Sequence, residues 1–382
     1  MPRPLFIYHD DYLNYDFGGM HVLREERLLL ARMLMKNCGL IGETGALEVE
    51  PTPATLDELE LGHTKDYLAT LKKLSDEPKG SSLLHGLGIA DNPIFQGMFE
   101  AAAIQVGGTL YACEVVAKGE ADRAFNIGGG FHHALPARAS GFCLLNDVTI
   151  GIKHLLVKRR IDRVMYVDID AHHADGVEAV FAKDPRVLNI SLHEDGHHLF
   201  PGTGFEHDIG KGEGEGYTVN VPLPPYTGDE SYLHAFTEIV EPLADSFKPE
   251  ILITQLGADA HYTDPLTHLN LTTRTYEELG ARFNDIAQKH GNRWIAVTGG
   301  GYDITLCPRV WSLIFSKMIG KDLDNDLPVD WMEHCRNTYG VGAISATLRD
   351  APETSSERSI SRTVGEIVNS VKKYVFKYHG LG

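Results

Sequence analysis

The chain carries its most reactive residue types in Tyr166-Val167-Asp168-Ile169-Asp170-Ala171-His172-His173-Ala174-Asp175-Gly176, an apolar run that breaks into acids and imidazoles. Asp168, Asp170 and His172 alternate along this stretch, so on extended backbone they lean to one side. A carboxylate and an imidazole able to reach one point suit a zinc ion, which takes nitrogen and oxygen ligands. Taken alone, the pattern is also that of a polar strand end followed by a helix cap at Asp175. Four further apolar runs, however, end in residues equally suited to chemistry. Residues 124–127 run into Gly128-Gly129-Gly130-Phe131-His132-His133, where glycines permit close backbone approach and two imidazoles follow. Residues 187–192 lead to His193 and the loop Leu199-Phe200-Pro201-Gly202-Thr203-Gly204. Residues 251–256 lead to Gly257-Ala258-Asp259, and 294–298 to Gly299-Gly300-Gly301-Tyr302-Asp303.

A repeating pattern must position these groups. Strand-like runs at 5–8, 124–127, 164–168, 187–192, 251–256 and 294–298 are interleaved with helical patterns at 98–118, 146–158, 231–247, 275–290 and 307–319. The alternation predicts an α/β fold: a central, mostly parallel sheet, helices on both faces, and an active site at the strand carboxyl ends. Residues 25–36 and 55–74 read as helices of a layer on one side of the sheet, 75–89 as a loop and 349–361 as a polar linker. Val364, Ile367, Val368, Val371 and Val375 fall at helical spacing, which predicts a C-terminal amphipathic helix over 362–378 packed on the body. No internal repeat divides the chain, so a single domain over 1–382 is expected.

Composition narrows the class. Lys and Arg total 35 against 53 Asp and Glu, a formal net charge of −18. Nucleic-acid binding needs a positive footprint, so no nucleic-acid partner is expected; cationic substrates would be tolerated. No apolar run approaches the roughly 18 residues of a membrane span. Met1-Pro2-Arg3-Pro4-Leu5-Phe6-Ile7-Tyr8 lacks a signal-type apolar region and reads as the first strand. The five cysteines, Cys38, Cys113, Cys143, Cys307 and Cys335, form no C-x-x-C pair. That fits a reducing cytoplasm and argues against a thiolate zinc site, so any metal must use histidine and carboxylate.

In their order, residues 129–134, 168–176, 200–204, 256–264 and 299–302 resemble the zinc-dependent histone deacetylase family of arginase/deacetylase-like fold, in particular its bacterial acetoin-utilisation branch. The resemblance covers nearly the whole chain, starting at His21-Val22-Leu23-Arg24-Glu25-Glu26-Arg27. It implies Asp170, His172 and Asp259 as ligands of Zn2+, with Fe2+ a substitute on the same residues. Asp168 would orient His132 and Asp175 would orient His133, with His133 as general base and then acid and His132 as an electrostatic partner. Tyr302 would hydrogen-bond the acyl carbonyl. Phe142, after Gly141, and Phe200 match an aromatic pair lining a narrow tunnel; Leu266 falls at its mouth and Asp91 matches a rim acid. Arg27 matches an arginine beneath the site thought to escort acetate, although it reads equally as a helix-face charge. K+ or Na+ is implied around Asp168, Asp170, His172, Ser191 and Leu192, and again near Phe181, Asp184, Val187 and Tyr217. The implied reaction is hydrolysis of an N-acetyl (acyl) lysine amide on proteins or peptides. The alternative is deacetylation of small acetylated amines such as acetylpolyamines. Nothing in the sequence sets the oligomeric state.

Other residues have quieter readings. His193, His197 and His198 could pass for a second metal site, but a glycine-containing loop need not converge on one ion. His198 is expected to shape the rim, His63 to cap or pack a helix, and Cys143 to be a packed thiol rather than a nucleophile.

Overall fold

A computed structural model describes residues 3–351 and 358–382. Its strands are β1 (Leu5–Ile7), β2 (Leu47–Val49), β3 (Arg123–Asn126), β4 (Val164–Asp168), β5 (Val187–Glu194), β6 (Thr218–Leu223), β7 (Ile251–Gln255) and β8 (Trp294–Val297). They form one sheet in the order β2-β1-β3-β8-β7-β4-β5-β6, and every pairing is parallel. The helices are α1 (Glu26–Asn37), α2 (Leu56–Leu59), α3 (Lys65–Asp76), α4 (Met98–Lys118), α5 (Asp147–Lys158), α6 (Asp175–Phe181), α7 (Asp229–Phe247), α8 (Thr273–Lys289), α9 (Leu306–Met318), α10 (Val329–Tyr339) and α11 (Arg358–Val375).

The central strands are buried throughout, which explains their unbroken apolar runs. Alternation sends Met165 and Val167 into a core with α1, α7, α8, α9 and α11, and Val164 and Tyr166 into a second core with α4, α5 and α6. The result is a single α/β domain covered on both faces. Among the described residues no helix is long and apolar enough to cross a membrane.

Several expectations change. The helix expected over 55–74 is two helices, because the chain turns at Gly62, where a Cβ would lie 2.7 Å from Ile150 Cγ1. Thr64 then caps α3 by accepting from Tyr67 N. The early helices do not form one layer: α1 joins the first core, while α2 and α3 contribute Leu59, Leu68 and Leu71 to a cluster with α4 and Ile150 of α5. β2, β6 and α10 are not among the expected elements, and the helix capped near Asp175 in the alternative reading of that stretch is α6. The polar linker begins with anchored residues, Arg349 on Glu277 and Asp350 on Arg309 and His261, and its residues 352–357 lie outside the described ones. The C-terminal helix starts at Arg358 rather than 362 and ends in a 3-10 turn at Phe376–His379. Its four valines enter the first core as the spacing required.

Candidate active site

The five chemically loaded strand ends belong to β3, β8, β7, β4 and β5, which are neighbours in the sheet, so their loops meet along one edge. Asp168 closing β4 pairs with Gln255 closing β7. The loops beyond bring Asp170, His172 and Asp259 together, with one ligand atom from each within 4.8 Å of the others and all three residues buried. His172 Nδ1 lies 3.1 Å from Asp170 Oδ1 and 2.9 Å from Asp259 Oδ2. Two buried carboxylates converging on one imidazole need positive charge between them, and that donor set fits a divalent cation. Among the described residues it is the one such cluster.

The outer oxygens of these ligands are held as well. Asp170 Oδ2 accepts from Gln255 Nε2 at 2.7 Å and Gly300 N at 2.8 Å, and Asp259 Oδ1 accepts from Ala171 N at 2.8 Å. Such outer hydrogen bonds aim metal ligands. At Gly300 an added Cβ would lie 2.2 Å from Asp259 Oδ2, so the close approach requires glycine.

Beside the triad, His132 Nδ1 donates to Asp168 Oδ2 and His133 Nδ1 to Asp175 Oδ1, each at 2.7 Å, while the two Nε2 atoms are 3.1 Å apart. Burial lowers the pKa of His132, but the charges of Asp168 and Asp170 and the Asp168 hydrogen bond outweigh it, and the pKa stands at about 9. For His133, burial and the neighbouring His132 charge outweigh Asp175, and the pKa falls to about 4. In metal-free protein at neutral pH one ring is therefore cationic and the other neutral.

The start of α5 fixes the loop that carries both rings. Asp147 accepts from Gly130 N and Phe131 N at 2.8–3.0 Å, and Asn146 Nδ2 donates to His132 O and Ala134 O. Sequence reading missed Asn146, Asp147, Gln255 and Tyr166, whose hydroxyl donates to Asp168 Oδ2 at 2.5 Å. The only available signal was the N-cap character of Asn146, which accepts from Thr149 N.

Phe142, Phe200, Leu266, Asp91 and Tyr302 line a mouth of about 590 Å³ that reaches His133 and His172. Tyr15 OH donates to Phe142 O at 2.7 Å, and the Phe142 ring stands edge-on to Tyr302 at 5.8 Å. Phe200 packs edge-on to His133 at 5.1 Å. Gly141 has a φ of +50°, and a Cβ there would lie 2.5 Å from His133 Cδ2 and 2.9 Å from Phe200 Cε1. Below the mouth an inner cavity of about 360 Å³ is lined by Arg27, Gly129, Gly130, Cys143 and Gly300. Arg27 is buried rather than a helix-face charge, and its Nη1 donates to Gly299 O and Gly301 O.

His193 turns inward between Ser191 and Gly204 O, and the exposed His197 pairs with Asp195, so no second metal cluster forms there. His198 is exposed and is not among the side chains lining the mouth, where Leu199 and Phe200 stand instead. His63 Nε2 accepts from Asn146 N at the cap of α5. Cys143 donates to Gly141 O, and burial holds its pKa well above that of an ordinary thiol. Of the residues expected around monovalent ions, Asp168 and Ser191 are strand partners. In the second group Asp184 already pairs with Arg186, and Phe181 O and Tyr217 O accept backbone N–H groups.

A seat for one cation flanked by two carboxylate-held imidazoles is equipment for hydrolysis, and the sheet carrying it has the arginase/deacetylase fold. Residues 21–318 match the histone deacetylase domain family. The acetoin utilization protein AcuC of Bacillus subtilis (strain 168) is 43% identical over 339 residues, covering 87% of this chain and 86% of its own. AcuC of Staphylococcus xylosus is 37% identical over 367 residues, 95% and 94% of the two chains. A solved HDAC homologue complexed with SAHA superposes with a TM-score of 0.87 at 30% identity over 97% of this chain and 100% of that one. An HDAC homologue from Aquifex aeolicus gives 0.85 at the same identity and coverage. The chain belongs to the histone deacetylase family, in its acetoin-utilisation branch, and is a deacetylase of that type.

Proposed function

We propose that this deacetylase acts on acetyl-lysine in proteins or peptides, releasing acetate and the free lysine amine, with zinc held by Asp170, His172 and Asp259. The observation that carries the reading is the mouth itself, where Phe142 and Phe200 flank the approach to His133 and His172. Two rings suit a four-carbon stem whose nitrogen is uncharged while acetylated. When bound, zinc lowers the pKa of a water to about 7 and polarises an acyl oxygen. Fe2+ suits the same donors.

The chain's own groups divide the remaining work. His133, neutral and with Nδ1 committed to Asp175, takes a proton from the attacking water at Nε2 and passes it to the departing amine. His132, held by Asp168 through Nδ1, steadies the negative charge that develops. The Tyr302 hydroxyl donates to the acyl oxygen as it gains charge. Asp91 at the mouth accepts from backbone N–H groups of the substrate, and Arg27 offers the acetate product a cation in the inner cavity. K+ or Na+ beside Asp168 and Ser191, and again near Asp184 and Val187, would brace β4 and β5.

The test compares an acetyl-lysine peptide with acetylputrescine, with and without a hydroxamate chelator, and counts metal per chain. Turnover of the peptide with one zinc per chain is expected. Preference for the free amine would move the substrate to small acetylated amines, and undiminished turnover after thorough chelation would end the metal reading.

A further inference from the structure

Tyr302 follows three consecutive glycines, Gly299-Gly300-Gly301, which have no side chains to anchor their own loop. Groups from elsewhere do so. Arg27 Nη1 donates to the Gly299 and Gly301 carbonyls at 2.8 Å, and Asp170 Oδ2 accepts from Gly300 N. The N–H of Tyr302 goes to a different carboxylate, Asp264 Oδ2, at 3.0 Å. The other oxygen of Asp264 accepts from Leu266 N at 2.9 Å. Asp264 is only 7% exposed, and its own N–H donates to His261 O in the loop that leaves Asp259. One buried side chain thus joins the backbones of Tyr302 and Leu266, which line the mouth from two different strand ends.

We propose that Asp264 is a positioning residue that sets the Tyr302 hydroxyl over the acyl group and, with its second oxygen, fixes Leu266 at the rim. This rests on the role given to Tyr302 above. An oxyanion donor works only within about 2.7–3.1 Å of the developing charge, so a phenol carried by a glycine loop depends on a fixed backbone. A carboxylate satisfies two N–H donors at once. An asparagine has a single oxygen, and its NH2 group would face either Tyr302 N–H or Leu266 N–H, donor against donor.

The test is a double-mutant cycle of Asp264→Asn and Tyr302→Phe in the zinc-loaded full chain, with metal content measured for each variant. Asp264→Asn is expected to keep one ion per chain and to lose at least about tenfold in kcat. The double variant is expected to be no slower than Tyr302→Phe alone, since placing a hydroxyl that is gone no longer matters. A trifluoroacetyl-lysine peptide, whose more electrophilic carbonyl leans less on Tyr302, should recover rate in both single variants alike. Losses that multiply in the double variant at full metal content would overturn the proposal. Undiminished turnover by Tyr302→Phe would instead remove Tyr302 from the chemistry, a separate outcome. If Asp264→Asn does not fold or loses its metal, Asp264→Glu, which keeps both acceptors on a longer stem, goes through the same cycle: non-multiplying losses support the positioning role and multiplying losses overturn it.

Discussion

The two imidazole–carboxylate pairs match in bond length and differ in charge state. Asp168 ends β4 with no exposed surface, whereas Asp175 opens α6 with 19% of its side chain exposed. His132 faces a second acid, Asp170, with Nε2 3.9 Å from Oδ1, and two carboxylates hold its proton against burial. His133 faces His132 at 3.1 Å and, with ring centroids 5.8 Å apart, His172, so positive neighbours add to burial against one partly solvated acid. Identical side chains at adjacent positions thus differ in charge because of what lies across from each ring. A hydrogen-bonded acid on Nδ1 does not decide the charge alone.

The largest effect that could break this contrast is on turnover. His133→Ala should lose roughly 10²–10⁴-fold in kcat, the range of a general acid–base group. His132→Ala should lose less, about 10²-fold, the cost of one electrostatic stabiliser. Steady-state kinetics on an acetyl-lysine peptide at full metal occupancy checks the order, and a reversed order would exchange the two roles.

The partner acids give a second, smaller contrast. Asp168 Oδ1 accepts from Asp170 N at 3.0 Å, so it supports a candidate ligand as well as His132. Asp175 Oδ1 instead holds the ring of His133, which is not one of the three candidate ligands. Asp168→Asn should therefore weaken zinc binding about 10–100-fold, as loss of an outer support does. Asp175→Asn should leave it within about twofold, by the same reasoning. Competition with a coloured chelator measures both, and equal weakening would show that the two acids do the same work.

What could be read from sequence follows the same division between a residue and its surroundings. The triad and both pairs were legible because each residue sits just past an apolar run, and a parallel sheet delivers such positions to one edge. Residues that aim them were not. Asp147, Gln255 and Asp264 act on groups 17, 85 and 38 positions away, and nothing local marks them. β6 was hidden by Pro222, tolerated because β6 is an edge strand, and β2 by its three-residue length and exposed Leu47. α10 is largely polar and buries only Trp331 and Cys335, too little to mark an apolar face. The break between α2 and α3 depends on Ile150, a contact across the fold that helical periodicity does not report.

The smallest effect bears on the contrast most directly, because it reads the protons themselves. In metal-free protein, His132 keeps a proton up to about pH 9, whereas an unfolded histidine releases it near 6.5. Between those values the native state binds the extra proton, so stability falls as pH rises. His133 is the mirror case: its pKa of about 4 leaves it neutral where the unfolded residue is charged. Between about pH 6.5 and 4 the unfolded state binds the extra proton, and stability falls as pH drops. Each histidine contributes a limiting slope of about 1.4 kcal/mol per pH unit. His172 at about 10 and His63 at about 4 act in the same two windows, and Glu25, Asp259 and Asp264, raised to about 7, 6 and 8, oppose the acid fall. Each histidine is therefore read by difference: urea unfolding of the chelated protein from about pH 4.5 to 9 should show less loss on the alkaline side in His132→Gln and less on the acid side in His133→Gln than in the parent chain. Differences that appeared in the opposite variants would exchange cation and neutral ring, and with them the histidine able to accept a proton from water.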